Sequence, residues 1–520
     1  MIRKSIFAAL LCSSAFVVTG TAFAQDVPAS QSEPEPTEPD SSDTTADAAI
    51  AAAAPVNDAE AKIELLTAQV EALQESLAQV QATIVKTTPS WKGGPQFDDK
   101  DAGFSFKPKG FMQFDAGYVG FPNGDELRGT QAGINYGNLG FNTRARRLVF
   151  GAEGSLPGGL KYKAEFNFAQ GTVDYEDIIL SYDFKGKPLT ITVGNFYPYS
   201  SLETMTSSRL GSMLERASFT DAFNYNRRLG IGLSLADLKT DRYTLSAGLF
   251  STPINDANFQ RTGWEASIRG TYTPPVGSGF IHLGASYHHR VNNQEALAQQ
   301  YRSRPLTQIT DQRFVDTGNI ASRGDDSVGV EVGGVFKSFH FAAEAQKMWV
   351  RHAFRPTDVL NDPTSNDTIP AGALKFNGDP SFEGAYGEVG YYFTGESRGY
   401  KGGKWDRTKV LHPFDKGGWG AIQLNARVDY LNLNDRVGSS TPNLAVANAD
   451  YVNGGKQLGY QLSLIWNPMD YLRFMAQYGH LDITGGPRAI SPLFAPADLT
   501  PINKRDYSVD TAAVRAQLEF

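Results

Sequence analysis

Sixteen segments of about ten residues, each alternating apolar with polar side chains, restrict this chain to sheet whose two faces differ in chemistry. In Leu160-Lys161-Tyr162-Lys163-Ala164-Glu165-Phe166-Asn167-Phe168 every second residue is apolar and most of those between are charged. Ile422-Gln423-Leu424-Asn425-Ala426-Arg427-Val428-Asp429-Tyr430 repeats the scheme. Side chains on a strand point alternately to opposite faces, so one face of each segment is apolar and the other wet. The segments fall near residues 110–119, 144–153, 160–169, 175–184, 188–196, 227–236, 242–250, 263–273, 279–288, 327–335, 338–349, 382–393, 419–431, 457–467, 470–480 and 509–520. A soluble sandwich also alternates, and the connections separate the two cases. Short turns such as 156–159, 185–187 and 467–470 close one side, whereas long polar loops at 120–143, 197–226, 289–326, 351–381, 432–456 and 481–508 close the other. An even strand number with one short-turn face and one long-loop face predicts an all-β fold, a 16-stranded antiparallel transmembrane β-barrel. One connection, 394–418, is long but falls on the short-turn side by parity. It is either a real excursion there or a slip in the strand count.

The last strand carries its own signal. Ala512, Val514, Ala516, Leu518 and Phe520 alternate with Ala513, Arg515, Gln517 and Glu519. An open sheet edge cannot persist in lipid, so this strand must pair with the first. Phe520, with Leu518 before it, is the expected recognition signal for barrel-assembly machinery.

The N-terminal part reads differently. Arg3 and Lys4, the apolar run Ile6 to Thr19, and Thr21-Ala22-Phe23-Ala24-Gln25 form a signal peptide over 1–24, cut after Ala24. Residues 25–57 are Pro, Ser, Thr, Ala and seven acids with no base, a disordered acidic linker. Over 58–86, Ile63, Leu66, Val70, Leu73, Leu77, Val80 and Ile84 recur at spacings of 3 and 4, the heptad seam of a short coiled-coil helix. The barrel domain is then 87–520. The chain's net charge of −8 resides in the linker and helix, and residues 87–520 are neutral, which argues against a nucleic-acid partner. Cys12 is the only cysteine, so the exported chain has no disulfide, thiolate metal site or thiol nucleophile.

Ordered motifs tie the barrel to a known family. Arg144-Ala145-Arg146-Arg147-Leu148 runs into Gly151 and Glu153, followed by Gly194-Asn195-Phe196, Leu202-Glu203 and Thr206-Ser207-Ser208-Arg209. Met213-Leu214-Glu215-Arg216, Asp221-Ala222-Phe223 and Arg227-Arg228-Leu229-Gly230 come next, and Thr394-Gly395-Glu396-Ser397-Arg398-Gly399-Tyr400 and Gly417-Gly418-Trp419-Gly420-Ala421 close the series. Together they resemble the phosphate-selective porins of the O and P type. The resemblance implies a homotrimeric anion channel of a Gram-negative outer membrane, with the N-terminal segment in the periplasm. Its cargo would be inorganic phosphate or polyphosphate, passing a lumen narrowed by the third long loop, 197–226. On that resemblance the anion pathway is carried by Arg209 and Arg216, with Arg227 and Arg228 at the adjoining strand start. One departure is that this loop contains no lysine, and Tyr197 stands where family members often carry one.

Alternation alone places the bases Arg147, Lys161, Lys163, Arg269, Arg427, Arg473 and Arg515 in the lumen. It places the acids Asp115, Glu153, Glu165, Asp183, Glu265, Glu331, Glu344, Glu388 and Asp429 there too. Such charges either bind the passing ion or pair across strands and merely solvate the wall. Gly395-Glu396-Ser397-Arg398-Gly399 matches the G-x-S-x-G elbow of hydrolases, but that elbow needs a strand-to-helix turn on a parallel sheet. His288-His289 lacks further ligands at metal spacing. No enzyme, cofactor or metal centre is therefore expected. Besides the anion channel, two readings stay open: a non-specific general porin, and a structural barrel that tethers the envelope through its coiled coil.

Overall fold

The computed structural model describes residues 56–87, 90–91, 95–99, 102–120, 139–223, 225–237, 240, 242–254, 263–292, 298–354, 377–436, 451–486 and 504–520. The expected signal peptide 1–24, and the linker 25–57 up to its last two residues, lie outside them. Helix α1 (Val56–Thr87) covers the predicted 58–86. Along it Ile63, Leu66, Val70, Leu73 and Leu77 are exposed.

Sixteen strands then follow one another antiparallel around a ring. They are β1 (Phe104–Val119), β2 (Gly140–Leu156), β3 (Leu160–Asn167), β4 (Asp174–Asp183), β5 (Leu189–Phe196), β6 (Arg228–Ala236), β7 (Tyr243–Phe250) and β8 (Trp264–Tyr272). The second half comprises β9 (Gly279–Val291), β10 (Gly324–Phe336), β11 (Phe339–Arg351), β12 (Ser381–Tyr392), β13 (Ala421–Asp435), β14 (Val452–Met469), β15 (Leu472–Thr484) and β16 (Asp506–Glu519). β16 pairs with β1 from Thr511 opposite Val119 to Glu519 opposite Phe111. Phe520 completes the seam: its N–H donates to the Gly110 carbonyl at 3.0 Å, and its own carbonyl accepts from Gly110 at 3.1 Å. With no edge left, every strand has a partner on both sides, as a hydrocarbon surround requires.

Alternation sorts the two faces as expected. Ile231, Leu233, Leu245, Leu249, Val330, Leu462, Leu464 and Val514 are exposed on the outside. Gln113, Glu265, Ser327, Asp429 and Ser463 are buried on the inside.

Three segments fill much of the bore. The third extracellular loop, 197–227, turns inward as two short helices, α2 (Leu202–Met205) and α3 (Ser218–Phe223). The fifth loop contributes a hairpin, Ala298–Ser303 with Val315–Ala321. Phe219 and Phe223 of the third loop pack with Tyr301, Ile309 and Ile320 of the fifth and with Phe382 and Leu431 of the wall. The third insert enters from the opposite mouth. Residues 393–420, between β12 and β13, send the hairpin Gly399–Lys401/Lys404–Asp406 into the lumen, where Trp405 is buried. The long connection at odds with parity is thus a real excursion on the short-turn side, and the strand count stands.

Candidate functional site

The third loop is held because its backbone donors meet carboxylates on one wall. Glu344 of β11 accepts from the Glu203 N–H at 2.8 Å, and Asp429 of β13 accepts from the Ser218 N–H at 2.9 Å. Glu388 of β12 accepts from the Ser212 hydroxyl at 2.9 Å, and Gln477 of β15 accepts from the Leu214 N–H at 2.8 Å. Arg427 joins this set, 2.6 Å from both Glu203 and Glu388. Phe219 stacks on Tyr386, at 6.2 Å between ring centroids. Gly384 permits that approach, since a Cβ there would sit 2.3 Å from the Phe219 Cβ. Loop carbonyls are gripped by arginines instead. Arg473 donates to Arg209 and Gly211, and Arg515, paired with Asp115 at 2.6 Å, donates to Leu214.

The periplasmic hairpin braces the same loop from below. Its Trp405 N–H donates to the Thr206 hydroxyl at 3.2 Å. Arg398 donates to the Ser212 hydroxyl and to the Leu210 carbonyl, and lies 4.7 Å from the centre of the Trp405 ring. Arg269, bidentate on Glu331 at 2.8 and 2.9 Å, also donates to the Gly403 carbonyl at 2.7 Å. Arg398 belongs to the G-x-S-x-G stretch, which here opens a lumen hairpin and not a helix. His288 and His289 point to opposite faces: His288 bonds Glu265 inside, and His289 bonds Asp326 outside.

The opposite wall, β1 to β6, is left facing water, and two β-bulges set its charge. Across β1 and β2, Gln113 faces Arg147 while Phe114 faces Ala145, so Arg146 is an extra residue. A bulge of this kind lets two consecutive side chains share a face. Arg146 and Arg147 both turn inward, as does Arg144 beyond them. Arg146 is bidentate on Glu215 at 2.9 and 3.0 Å, Arg147 bonds Gln113 at 2.8 Å, and Arg144 reaches Asp311 of the fifth loop at 3.0 Å. Across β3 and β4, Ala164 faces Ile178 while Phe166 faces Tyr175, which doubles Glu176 and Asp177 into the lumen. Both pair with Arg227, at 2.6 Å for Asp177, and Lys163 bridges Asp177 and Glu165 at 2.7 and 2.6 Å.

Two water-accessible cavities follow this wall. The extracellular one, about 270 Å³, reaches Arg304 and Gln308 of the fifth loop. The larger one, about 680 Å³, runs from Asp174 and Pro253 at the extracellular strand ends down to the hairpin's Lys404, lined by Lys163, Arg209 and Arg227 and by Glu165, Glu176 and Asp177. Six residues line both and form the neck between them: Arg146, Arg147, Tyr197, Thr204, Arg216 and Asn226. Three are arginines and none is an acid. Arg216 donates to the Thr204 and Thr206 carbonyls at 3.1 and 3.0 Å and lies 5.3 Å from the centre of the Tyr197 ring. Arg227 lies 4.2 Å from the centre of the same ring. Glu215, beside the neck, is buried, which opposes its ionisation. Arg146, Arg515 and Arg147 overcome that and hold the carboxyl well below the usual range.

The residues singled out from sequence divide accordingly. Arg147, Lys163, Arg209, Arg216 and Arg227 line the cavities. Arg228 pairs with Glu265 on the wall at 2.9 Å, and Lys161 pairs with Asp183 near the periplasmic end. Arg269, Arg427, Arg473 and Arg515 secure the inserted segments. Arg146, Glu176 and Lys404 were not foreseen. Strict alternation turns the first two outward, and Lys404 lies on the long connection 394–418 that parity alone does not place.

A family model described as phosphate-selective porin O and P matches residues 102–494. An uncharacterized protein of Caulobacter vibrioides is 34% identical over 467 residues, covering 85% of this chain and 82% of its own length. Porin O of Pseudomonas aeruginosa is 24% identical over 409 residues, covering 76% of this chain and 86% of its own. Among solved structures, the anion-selective porin from Comamonas acidovorans matches with a TM-score of 0.42 at 10% identity, over 80% of this chain and 100% of that one. A family match over most of the barrel, on a closed ring of sixteen strands, makes this chain an outer-membrane porin of the phosphate-selective porin O and P family.

Proposed function

We propose that this porin passes small anions, phosphate or polyphosphate among them, along the β1–β6 wall and through the neck beneath the third loop. The carrying observation is the neck's composition: three arginines, Arg146, Arg147 and Arg216, against one acid beside them, Glu215, which is bidentate on Arg146. A guanidinium offers a planar fork that matches a phosphate's paired oxygens. Among the described residues Arg216 has carbonyl and phenol partners and no carboxylate in an ion pair, so its charge is available to a passing ion. The loop's lack of lysine is offset from elsewhere, because Lys404 on the periplasmic hairpin lines the larger cavity, beside a Lys163 already bridged to Asp177 and Glu165. Tight pairing of the remaining bases favours passage over trapping, as conduction requires binding strong enough to admit an ion and weak enough to release it.

The test is conductance of purified protein in planar bilayers under a salt gradient. The expected result is stepwise channels, a reversal potential on the anion side, and chloride current reduced by added phosphate. A cation-side reversal potential overturns the reading; anion preference without phosphate block leaves a general anion porin.

The exposed seam of α1 supports self-association, since a 3-4 apolar repeat seeks a like helix, and the number three is taken from the family resemblance alone. Cross-linking of full-length protein against a chain lacking 58–86 tests this. An unchanged oligomer in the shortened chain removes the helix from assembly.

A further inference from the structure

After its lumen hairpin, the periplasmic excursion returns to β13 through residues 409–420, a stretch that includes the Gly417-Gly418-Trp419-Gly420 motif. It is tightly built. Val410 is buried against Tyr392 and Ala421, and its N–H donates to Asp470 at 3.0 Å. The Gly418 N–H donates to the Pro413 carbonyl at 3.1 Å and the Gly420 N–H to the His412 carbonyl at 2.8 Å. Gly418 is required by this closure, since a Cβ there would lie 2.1 Å from the His412 oxygen.

Despite that order, the segment presents large apolar side chains outward. Trp419 is 80% exposed, Phe414 59% and Leu411 50%. Single exposed apolar residues are ordinary, but three within nine residues of one ordered segment leave a large apolar area to water. Lys409, His412 and Lys416 are exposed around it, and among the described residues Lys409 and Lys416 have no ion-pair partner. The patch also continues a surface that already faces lipid. The Trp466 indole N–H donates to the Trp419 carbonyl at 2.8 Å, and Trp466 stacks on Phe474 at 5.6 Å on the outer face of β14 and β15. Aromatic girdles at this level mark where a barrel meets the headgroups.

We infer that residues 409–420 form a foot seated in the periplasmic leaflet and that this foot binds anionic phospholipid. Trp419, Phe414 and Leu411 occupy the boundary between headgroups and acyl chains, where an indole's apolar body and polar edge are both satisfied. Lys409 and Lys416 reach the phosphates, their stems lying along the apolar patch. The same chain segment thereby serves two ends: its first half braces the third loop inside the bore, and its second half grips the membrane outside it.

The test uses the full-length protein in vesicles of phosphatidylcholine, with or without phosphatidylglycerol. The difference in emission between wild type and Trp419→Leu isolates Trp419 from the other tryptophans. Lipids brominated just below the headgroup are expected to quench that component, and aqueous iodide to leave it unaffected. Brominated phosphatidylglycerol should quench at least twice as strongly as brominated phosphatidylcholine at equal content. The double substitution Lys409→Gln/Lys416→Gln should bring that ratio to one while conductance stays unchanged. Quenching by iodide but by no lipid overturns the foot, and so does burial of Trp419 that depends on protein concentration and not on lipid, which would put a second copy there. Equal quenching by the two lipids, or a ratio that survives the double substitution, overturns the recognition of anionic headgroups. Correct conductance in each variant shows that the barrel has folded.

Discussion

The wall of β11 to β13 and the wall of β1 to β4 are both crowded with charge, yet they do opposite work. On the first, Glu344, Glu388 and Asp429 accept hydrogen bonds from the third loop, and Arg427 is the one arginine or lysine among them in the described residues. On the second, Arg146 and Arg147 line a water-accessible cavity together with Arg216. A carboxylate accepts only, so it suits a wall on which backbone N–H groups must land. A guanidinium donates only and cannot serve those groups, but it can serve an anion. At these two places the sign of the charge follows the group it must meet; elsewhere in the bore Arg473 and Arg515 grip loop carbonyls, and Glu176 and Asp177 line the larger cavity.

The most damaging way to break the contrast is Arg427→Ala. It leaves Glu203 and Glu388 facing each other in a buried site, and removing one member of such a pair costs about 3–5 kcal/mol. The third loop should detach, with larger and noisier single-channel steps, a lost ion preference, and a lower urea midpoint. Next comes the path itself. Arg216→Ala and Arg147→Gln should each lower the anion-over-cation permeability ratio roughly three- to tenfold, on the order of 1 kcal/mol per charge, with unfolding midpoints little changed. Reversal potentials measure this. Deleting Arg146 sharpens the comparison further. Because Arg146 is the extra residue of a bulge, its deletion should leave every other β2 side chain on its present face. The deletion should therefore match Arg146→Ala in stability, with weakened anion preference in both; a collapse in folding yield for the deletion alone contradicts the bulge. The smallest effect belongs to Asp429→Asn, whose amide oxygen can still accept from the Ser218 N–H. Conductance should hold within about twofold, whereas Asp429→Leu should loosen the loop measurably.

These contrasts also show what the sequence could reveal. The ring was legible because each strand carries its own face pattern: β3 was expected over 160–169 and occupies Leu160–Asn167, and β12 was expected over 382–393 and occupies Ser381–Tyr392. The inward set from Arg147 to Arg515 followed from the same parity. The bulges show only as a doubled charge between apolar residues, Ala145-Arg146-Arg147-Leu148 and Tyr175-Glu176-Asp177-Ile178, a break that strict alternation passes over. Docking of the third loop was hidden. Glu203 meets Glu344 across 141 positions and Ser218 meets Asp429 across 211, so no local spacing announces either bond. The hairpin bearing Lys404 and Trp405 showed itself only as a connection too long for its side of the barrel.

A bulge has one further consequence for how such a channel can change over time. Substituting a residue in a regular strand trades one lumen group for another, and inserting one elsewhere turns the remainder of the strand over, exchanging what meets water with what meets hydrocarbon. At Arg146 and at Glu176 a single added codon supplies a new ionic group to the passage, and the kink absorbs the offset locally. Channels built this way can accumulate or shed fixed ions one at a time by small insertions and deletions, with the lipid-facing surface undisturbed.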